Sequence, residues 1–290
     1  MSLGFALTIL LDGISYGMVL FIISVGLTIT MGLMRLVNLA HGSFAMIGGY
    51  IAGYLTQGGT NFYVALLVAA IIPGILGGLA EVTVFRPLYR KAELSQVLLT
   101  IGIVFVSTAA VTVIFGAFPY PVVFPEYLTK PVDIGFRTYP AYRLFLIAVG
   151  GVVAIVLWYL IENSLYGAKL RAAVDNPRMA RAVGMNVNVL FTGTFMVGCA
   201  LAGLGGAMGA GIMSLEPSYA LKYVVLFLVV VIVGGEGSFK GSFVAAMSLG
   251  IIDTVGKYFF SQAAPYLLYV AVFILLLWRP QGLMPAKSVA

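Results

Sequence analysis

The first apolar run, FALTILLDGISYGMVLFIISVGLTI (residues 5–29), decides the fold class, because Asp12 is its only charged residue. As an α-helix, about 20 apolar residues cross the hydrocarbon layer of a bilayer, which is about 30 Å thick. We expect no cleaved signal peptide, since residues 1–10 carry neither a basic region nor a cleavage site. The run is therefore predicted to be a membrane-spanning helix.

Similar runs recur along the 290 residues, of which 61% are hydrophobic and 9% charged. A soluble domain needs more charge, and a membrane β-barrel would show alternating segments of about ten residues. We predict an all-α integral membrane protein, a single transmembrane domain over residues 1–290. It is a polytopic helix bundle with about eight or nine transmembrane segments, at least one of them broken or short. The segments are Phe5–Ile29, Val37–Thr56, Phe62–Phe85, Ser95–Phe118, Tyr142–Ile161, Val189–Met213, the short Tyr223–Val233, Gly241–Phe260 and Pro265–Trp278.

The charges of the loops predict the orientation of the bundle. With nine crossings, eleven basic residues fall on one side and five on the other. Basic loops stay in the cytoplasm, so we predict an external N-terminus and a cytoplasmic C-terminus. Because these basic residues are spread over many short loops, they also argue against nucleic-acid binding. The eleven are Arg35, Arg86, Arg90, Lys91, Lys169, Arg171, Arg178, Arg181, Lys240, Arg279 and Lys287; the five are Lys130, Arg137, Arg143, Lys222 and Lys257.

The longest loop predicted to be cytoplasmic, about residues 163–188, contains its own short helix. Asp175 or Asn176 can cap the start of this helix, Pro177 suits its first position, and Gly184 suits the residue after its end. So short a helix is marginal alone in water, which indicates that it docks on something.

The two faces of this short helix differ in polarity. Met179, Ala182 and Val183 share one face at i, i+3, i+4 spacing, and Arg178 and Arg181 lie on the other. The helix could dock into another protein through the apolar face. Alternatively, its arginines could meet anionic lipid.

Polar residues interrupt the second apolar segment at Asn38, His41 and Ser43. Their side chains would be unpaired if they faced lipid, and irregular backbone at membrane depth is tolerated only inside protein or beside a cavity. We predict a broken helix that lines a cavity. The alternative is a cluster of hydrogen bonds between helices (a hydrogen-bond knot) that contacts no solute.

Charged residues in the spans should have partners, because a bare charge at the bilayer centre is costly. Asp253 and Lys257 are four residues apart and can pair on one helix. Glu81 lies close enough to Arg86 to bond to the loop there, and Asp12 is expected near the outer interface.

Small residues predict close packing of the helices. Gly198, Ala202, Gly206 and Ala210 recur every four residues and so form one stripe on one helix. Such stripes let helix backbones approach in lipid. The stripe is either ordinary packing or part of a movable gate.

The sequence offers no converging catalytic groups. His41 and Cys199 are the only residues of their types, so we expect no metal site and no disulfide within the chain. The nearest approach to a phosphate-binding loop fails, because Lys240 precedes Gly241 instead of following a glycine. We therefore expect neither a cofactor nor an ATPase site in this chain.

Six short motifs are spread along the chain. They are Gly26-Leu-Thr, Val37-Asn38-Leu-Ala-His41-Gly42, Arg86-Pro87-Leu88, Arg178-Met-Ala180-Arg-Ala-Val-Gly184, Gly234-Gly-Glu-Gly237-Ser238 and Arg279-Pro280-Gln281-Gly282-Leu283. In this order and spacing they resemble the permease family of branched-chain amino-acid ABC importers, the LivH type, over essentially the whole chain.

The resemblance implies the other parts of the transporter. Such a permease pairs with a related sister permease, binds two ATP-binding subunits in the cytoplasm, and receives solute from a periplasmic binding protein at the bacterial inner membrane. In the coupling motif of ABC permeases, Arg178 and Met179 replace Glu-Ala, whereas Ala180 and Gly184 match. The resemblance therefore implies that the short helix couples to the ATPase.

The resemblance also implies a solute class, namely branched-chain amino acids or a similar small solute. It suggests that Asn38, His41 and Ser43 lie on or beside the translocation path. An ion-coupled secondary transporter is the main alternative. A membrane enzyme would need catalytic groups, and a purely structural subunit would leave these polar residues without a role.

Overall fold

The computed structural model describes residues 3–34, 38–89, 91–135 and 138–284, which form a bundle of helices with one small hairpin. A π-helical turn (Glu81–Phe85) and a 3-10 turn (Arg86–Leu88) extend α3. The helices are α1 (Leu3–Met34), α2 (His41–Gln57), α3 (Phe62–Ala80), α4 (Glu93–Phe115), α5 (Glu126–Thr129), α6 (Ala141–Glu162), α7 (Leu165–Asp175), α8 (Pro177–Ala182), α9 (Val187–Gly209), α10 (Tyr219–Gly234), α11 (Phe239–Phe259) and α12 (Ala264–Trp278); the antiparallel strands are β1 (Pro131–Asp133) and β2 (Thr138–Pro140).

The predicted all-α membrane fold is confirmed, and each of the nine predicted segments contains one helix. Five helices of the described residues are long and apolar enough to cross a membrane, and α10 and α12 are shorter apolar helices. The segment predicted as Tyr223–Val233 is longer in the structure, because Tyr219–Lys222 join the helix. The loop before α6 holds α5 and the hairpin.

Helix α1 lies at the centre of the bundle. It has 32 residues, and the side chains of Val19, Phe21, Ile23 and Leu27 have no exposed surface. An apolar helix in a membrane can face lipid or other helices, and 72% of the most apolar part of α1 is buried inside the protein. Helices α9 and α11 pack along α1 most extensively, and α6, α10 and α2 cover the rest of it.

Glycines let α9 approach α1, α2 and, through Gly203 against Ala69, α3 at backbone distance. Gly198 contacts Gly26 of α1, and a Cβ on Gly206 would overlap the carbonyl oxygen of Ala45 in α2. Ala202 of the predicted stripe is fully buried, whereas Ala210 lies just beyond the end of α9 and is half-buried. The stripe therefore serves close packing over its first three members.

The bundle has two distinct ends. We call the end with α5, β1 and β2 the hairpin end, and the end with α7 and α8 the loop end. Arg86 lies at the loop end against Thr192 of α9, and Lys240 lies there 3.8 Å from Glu162. Arg143 lies at the hairpin end beside Asp12.

These positions agree with the predicted separation of basic residues between two sides, but which side faces the cytoplasm stays a prediction. Four residues of that prediction lie outside the described residues. They are Arg35, Arg90, Arg137 and Lys287.

Replacing Gly206 by alanine should destabilise the bundle, because the added methyl group would push α2 away from α9. Overpacking of this kind costs about 1–3 kcal/mol. We expect a lower thermal unfolding midpoint for Gly206→Ala in detergent. The control is Gly193→Ala in the same helix, where a Cβ would lie 3.8 Å from its nearest neighbour. Equal losses for the two variants would contradict the packing role of Gly206.

Candidate functional site

Two short helices, α2 and α10, begin beside each other at the middle of the bundle. A Cβ on Gly42 would lie 3.0 Å from the carbonyl oxygen of Ala220, and His41 contacts Ile23 in the middle of α1. Helix α2 then runs to the hairpin end, where Gln57 donates to the carbonyl of Pro121, while α10 runs to the loop end. Both helices are thus preceded by non-helical backbone inside the protein.

The first of these breaks agrees with the predicted interruption of the second segment, because α2 begins only at His41. The cavity that was predicted beside it stays a prediction. The second break, before α10, agrees with the prediction that the short segment Tyr223–Val233 does not span the membrane as a full helix. Residues 211–218 are non-helical and lead from the hairpin end to the start of α10. Gly211 and Pro217, which disfavour helix continuation, were the available signals.

Asn38 and His41 are buried at the first break, with 0% and 1% of their surface exposed. Asn38 Oδ1 accepts a hydrogen bond from the backbone nitrogen of Ala40, at 3.1 Å. His41 Nε2 lies 2.9 Å from the carbonyl oxygen of Ile23, so Nε2 carries the proton and donates. Asn38 Nδ2 and His41 Nδ1 have no hydrogen-bond partner among the described residues.

Ser43 faces a different neighbour from that of His41. Its hydroxyl lies 2.7 Å from the hydroxyl of Ser107 in α4, and it is 1% exposed. The structure therefore holds His41 against α1, and it places Ser43, two residues later in α2, against α4. All three side chains are thus enclosed by the rest of this chain.

Helix α8 has the predicted caps. Asn176, and not Asp175, caps its start, since its side-chain oxygen accepts from the backbone nitrogen of Met179 at 3.0 Å. Pro177 occupies the first helical position. Gly184 adopts a positive φ of 85°, which glycine tolerates without strain, and its nitrogen donates to the carbonyl of Arg181.

One residue of α8, Ala180, is buried. The sequence pattern had not assigned it to either face of the helix. Ala180 packs with Ala173 of α7 and Val187 of α9 in a small core separate from the main one. Met179 and Val183, two members of the predicted apolar face, are 61% and 68% exposed. Both side chains are therefore accessible at the surface of this chain.

The buried carboxylate of Glu81 ties the loop ends of α3 and α9 together. Its Oε2 lies 2.7 Å from Arg86 Nη2 and 2.8 Å from Thr192 Oγ1, and its Oε1 accepts from Tyr89 Oη at 3.0 Å. The predicted bond to the Arg86 loop is thus present. The link to Thr192, five residues after the start of α9, had no signal in the sequence.

Tyr89 lies just after the apolar span formed by α3 and its two helical turns, Phe62–Leu88. Burial, followed by the neighbouring Glu81 carboxylate, raises the pKa of Tyr89 well above its ordinary value. The phenol therefore stays protonated and remains a donor to Glu81 at physiological pH. The π-helical turn that begins at Glu81 is a type of distortion often found at functional positions.

The sequence matches a family model described as "Branched-chain amino acid transport system / permease component" over residues 9–277. The high-affinity branched-chain amino acid transport system permease protein LivH of Escherichia coli K12 is 25% identical, over 96% of this chain and 95% of its own. The permease protein LivM of the same organism is 26% identical, over 92% of this chain and 68% of its own.

A solved structure has a similar fold. It is PsaBC from Streptococcus pneumoniae in complex with Fab, with a TM-score of 0.52 and 16% sequence identity. The match covers 94% of this chain and 90% of that chain. At this identity the likeness concerns the fold alone.

Replacing Glu81 by glutamine should destabilise the protein, because Arg86 and Thr192 lose a charged, buried partner. Hydrogen bonds to charged groups contribute about 1.5–3 kcal/mol, and we expect a loss in this range. Chemical unfolding in detergent measures it. The control, Glu126→Gln, removes the carboxylate of an exposed pair with Lys130 and should change stability far less. A result in which both variants lose the same stability would refute a special role for Glu81.

Proposed function

Since the chain belongs to the family of permease components of branched-chain amino acid transport systems, we propose that it forms half of the transmembrane pathway of an ATP-driven importer. The solute is a branched-chain amino acid or a similar small solute. LivH and LivM, which are named as permeases for branched-chain amino acids, are similar to this chain over most of its length. The chain itself is a multi-pass membrane protein of the permease type.

The observation that carries the proposal is the capped, partly exposed helix α8 at the loop end. Met179 and Val183 are available for contact, whereas Ala180 anchors the helix to α7 and α9. We infer that an ATP-binding subunit docks here, and that the loop of residues 163–188 is the coupling loop. Two such subunits would serve the two permeases of one transporter.

A sister permease is the inferred second half of the pathway. LivH and LivM are two different permease proteins of one named transport system in one organism, and this chain resembles both. A heterodimer of related permeases therefore fits this chain better than a homodimer. We place the complex in the bacterial inner membrane, with the loop end in the cytoplasm and the hairpin end toward a periplasmic solute-binding protein.

The translocation path is proposed to run beside Asn38, His41 and Ser43. Buried polar atoms normally have hydrogen-bond partners, so the unpartnered Asn38 Nδ2 and His41 Nδ1 call for an explanation. Half-helices that begin at the centre of a transporter are a recurrent way to form a solute path. ATP binding would open this level, and hydrolysis would reset it.

The alternative, an ion-coupled secondary transporter, would use buried acids as ion or proton carriers. In the described residues, Asp12, Glu81 and Asp253 each form an ion pair, with Arg143, Arg86 and Lys257 respectively. Paired carboxylates are poor candidates for a proton relay, because each is already neutralised. This observation favours the ATP-driven importer.

The decisive experiment is uptake of labelled leucine by the permease pair reconstituted with its ATP-binding subunits and binding protein. We expect uptake to require ATP. Replacing Met179 by glutamate should reduce copurification of the ATP-binding subunits and ATP-driven uptake by about tenfold or more, since an interface that buries an unpaired charge loses several kcal/mol.

The matched control is Val123→Glu, which makes the same change at an exposed apolar position of the hairpin end. This variant should retain the ATP-binding subunits. Leucine uptake driven by an ion gradient without ATP would establish the secondary transporter instead. Intact subunit binding in Met179→Glu would remove α8 from the docking site.

The path proposal predicts that Ser43→Cys reacts with a small hydrophilic thiol reagent during ATP turnover but not in the resting complex. The native Cys199 is fully buried against α3 and serves as the internal control that stays unlabelled. Mass spectrometry distinguishes the two labelled peptides. If Ser43→Cys stays unlabelled in every state of an active transporter, the polar cluster is the hydrogen-bond knot of helices.

A further inference from the structure

A pocket of about 130 Å³ opens at the hairpin end between α1, α6 and α11. Closed cavities of about 150 Å³ hold benzene; this pocket is slightly smaller but open to the surface, so a ligand can extend out of it. It lies within this one chain, away from the Asn38 break. Four charged side chains line it, and they are Asp12, Arg143, Asp253 and Lys257.

One side of the pocket is a fixed wall built around Asp12. This carboxylate is 6% exposed and accepts from Tyr139 at 2.7 Å and from Tyr258 at 2.8 Å, in addition to its ion pair with Arg143. Its two oxygens are therefore already used. Arg143 remains 35% exposed, so its guanidinium can also face the pocket.

The opposite side is an ion pair in which one partner, Lys257, is exposed. Lys257 Nζ lies 2.5 Å from Asp253 Oδ2 one helical turn away and 4.9 Å from the ring centre of Tyr16. The lysine side chain is 57% exposed, whereas the Asp253 side chain is 10% exposed. The exposed ammonium of Lys257 can therefore attract an anion in the pocket while it stays beside Asp253.

The charges of the pocket sum to zero, with two carboxylates and two cations. A site for an anion or a cation alone would carry an excess of the opposite charge. A site with both signs at close range matches a ligand that itself carries both. Ile212 and the ring of Tyr16 add an apolar surface for a side chain.

From this arrangement we propose that the pocket is a binding site for a free zwitterionic α-amino acid at the hairpin end of the permease. Lys257 and Arg143 face the ligand carboxylate, and Asp253 and the Tyr16 ring face its ammonium group. The identity of the ligand rests on the proposed function, whereas the pocket and its charges do not. Binding is expected to be weak, since a transport intermediate must leave again.

The test uses the assembled transporter without its binding protein and monitors a cysteine placed at the pocket, Ile212→Cys. Leucine at millimolar concentration should slow its reaction with a thiol reagent. Leucinamide lacks the carboxylate and 4-methylpentanoate lacks the ammonium group, so each should protect about tenfold less. Thr254→Cys, at another lining position, repeats the measurement if Ile212→Cys assembles poorly.

In the Ile212→Cys reporter, the second substitution Lys257→Met should weaken protection by leucine about tenfold. It should not increase protection by 4-methylpentanoate. The matched control is Lys222→Met, which removes another lysine that is paired with an acid, Glu216, at 2.5 Å. It should leave protection unchanged. Equal protection by all three compounds, no protection by leucine, or equal effects of the two lysine variants would overturn the proposal.

ATP-driven leucine uptake by the same preparation, with binding protein added, separates this proposal from the proposed function. If uptake is normal and leucine gives no protection, the pocket is not a binding site but the importer assignment stands. If leucine protects and ATP drives no uptake, the pocket stands and the importer assignment falls.

Discussion

Close backbone contact between α9 and its neighbours is the constraint on which the rest of the bundle depends. Lipid tails are as apolar as leucine, so burial alone gives helices no reason to associate in a membrane, and fitting surfaces must supply the attraction. Gly198 against Gly26, and Gly206 against Ala45, bring α9 to backbone distance from α1 and α2. Only with this approach can α1 be covered on every side.

The burial of α1 explains how broken helices are accommodated at the centre. Non-helical backbone at membrane depth needs partners from the protein, because lipid offers none. The carbonyl of Ile23 in α1 accepts a hydrogen bond from His41, and this bond holds the start of α2 against α1. Helix α10 begins beside the same point, against Gly42, so two half-helices of opposite direction share one support. At this level, Asn38 Nδ2 and His41 Nδ1 lack a hydrogen-bond partner among the described residues.

Helix α9 also connects the loop end to this centre. Its first turn packs on Ala180 of α8 through Val187, Thr192 in its second turn bonds to Glu81 of the π-helical turn, and its later glycines contact α1 and α2. A displacement of α8 would therefore reach α3 and the central break through one rigid element. The small core under α8 joins that helix to both α7 and α9.

Local patterns allowed much of this protein to be predicted from its sequence. Nine apolar runs gave the nine segments, the order Asn176, Pro177 and Gly184 gave the bounds of α8, and i, i+4 spacing gave the Asp253–Lys257 pair. All of these depend on residues close together in the chain, where helical periodicity fixes the geometry.

Only the tertiary structure decided which distant residues meet. The bond of Glu81 to Thr192, the pairing of Ser43 with Ser107 and the pocket that joins Asp12 to Asp253 each combine separate helices. Periodicity states which face of a helix is apolar, but it does not state which helix lies against that face or at what depth. Those choices follow from the packing of the whole bundle, where the small residues of all helices must fit at once.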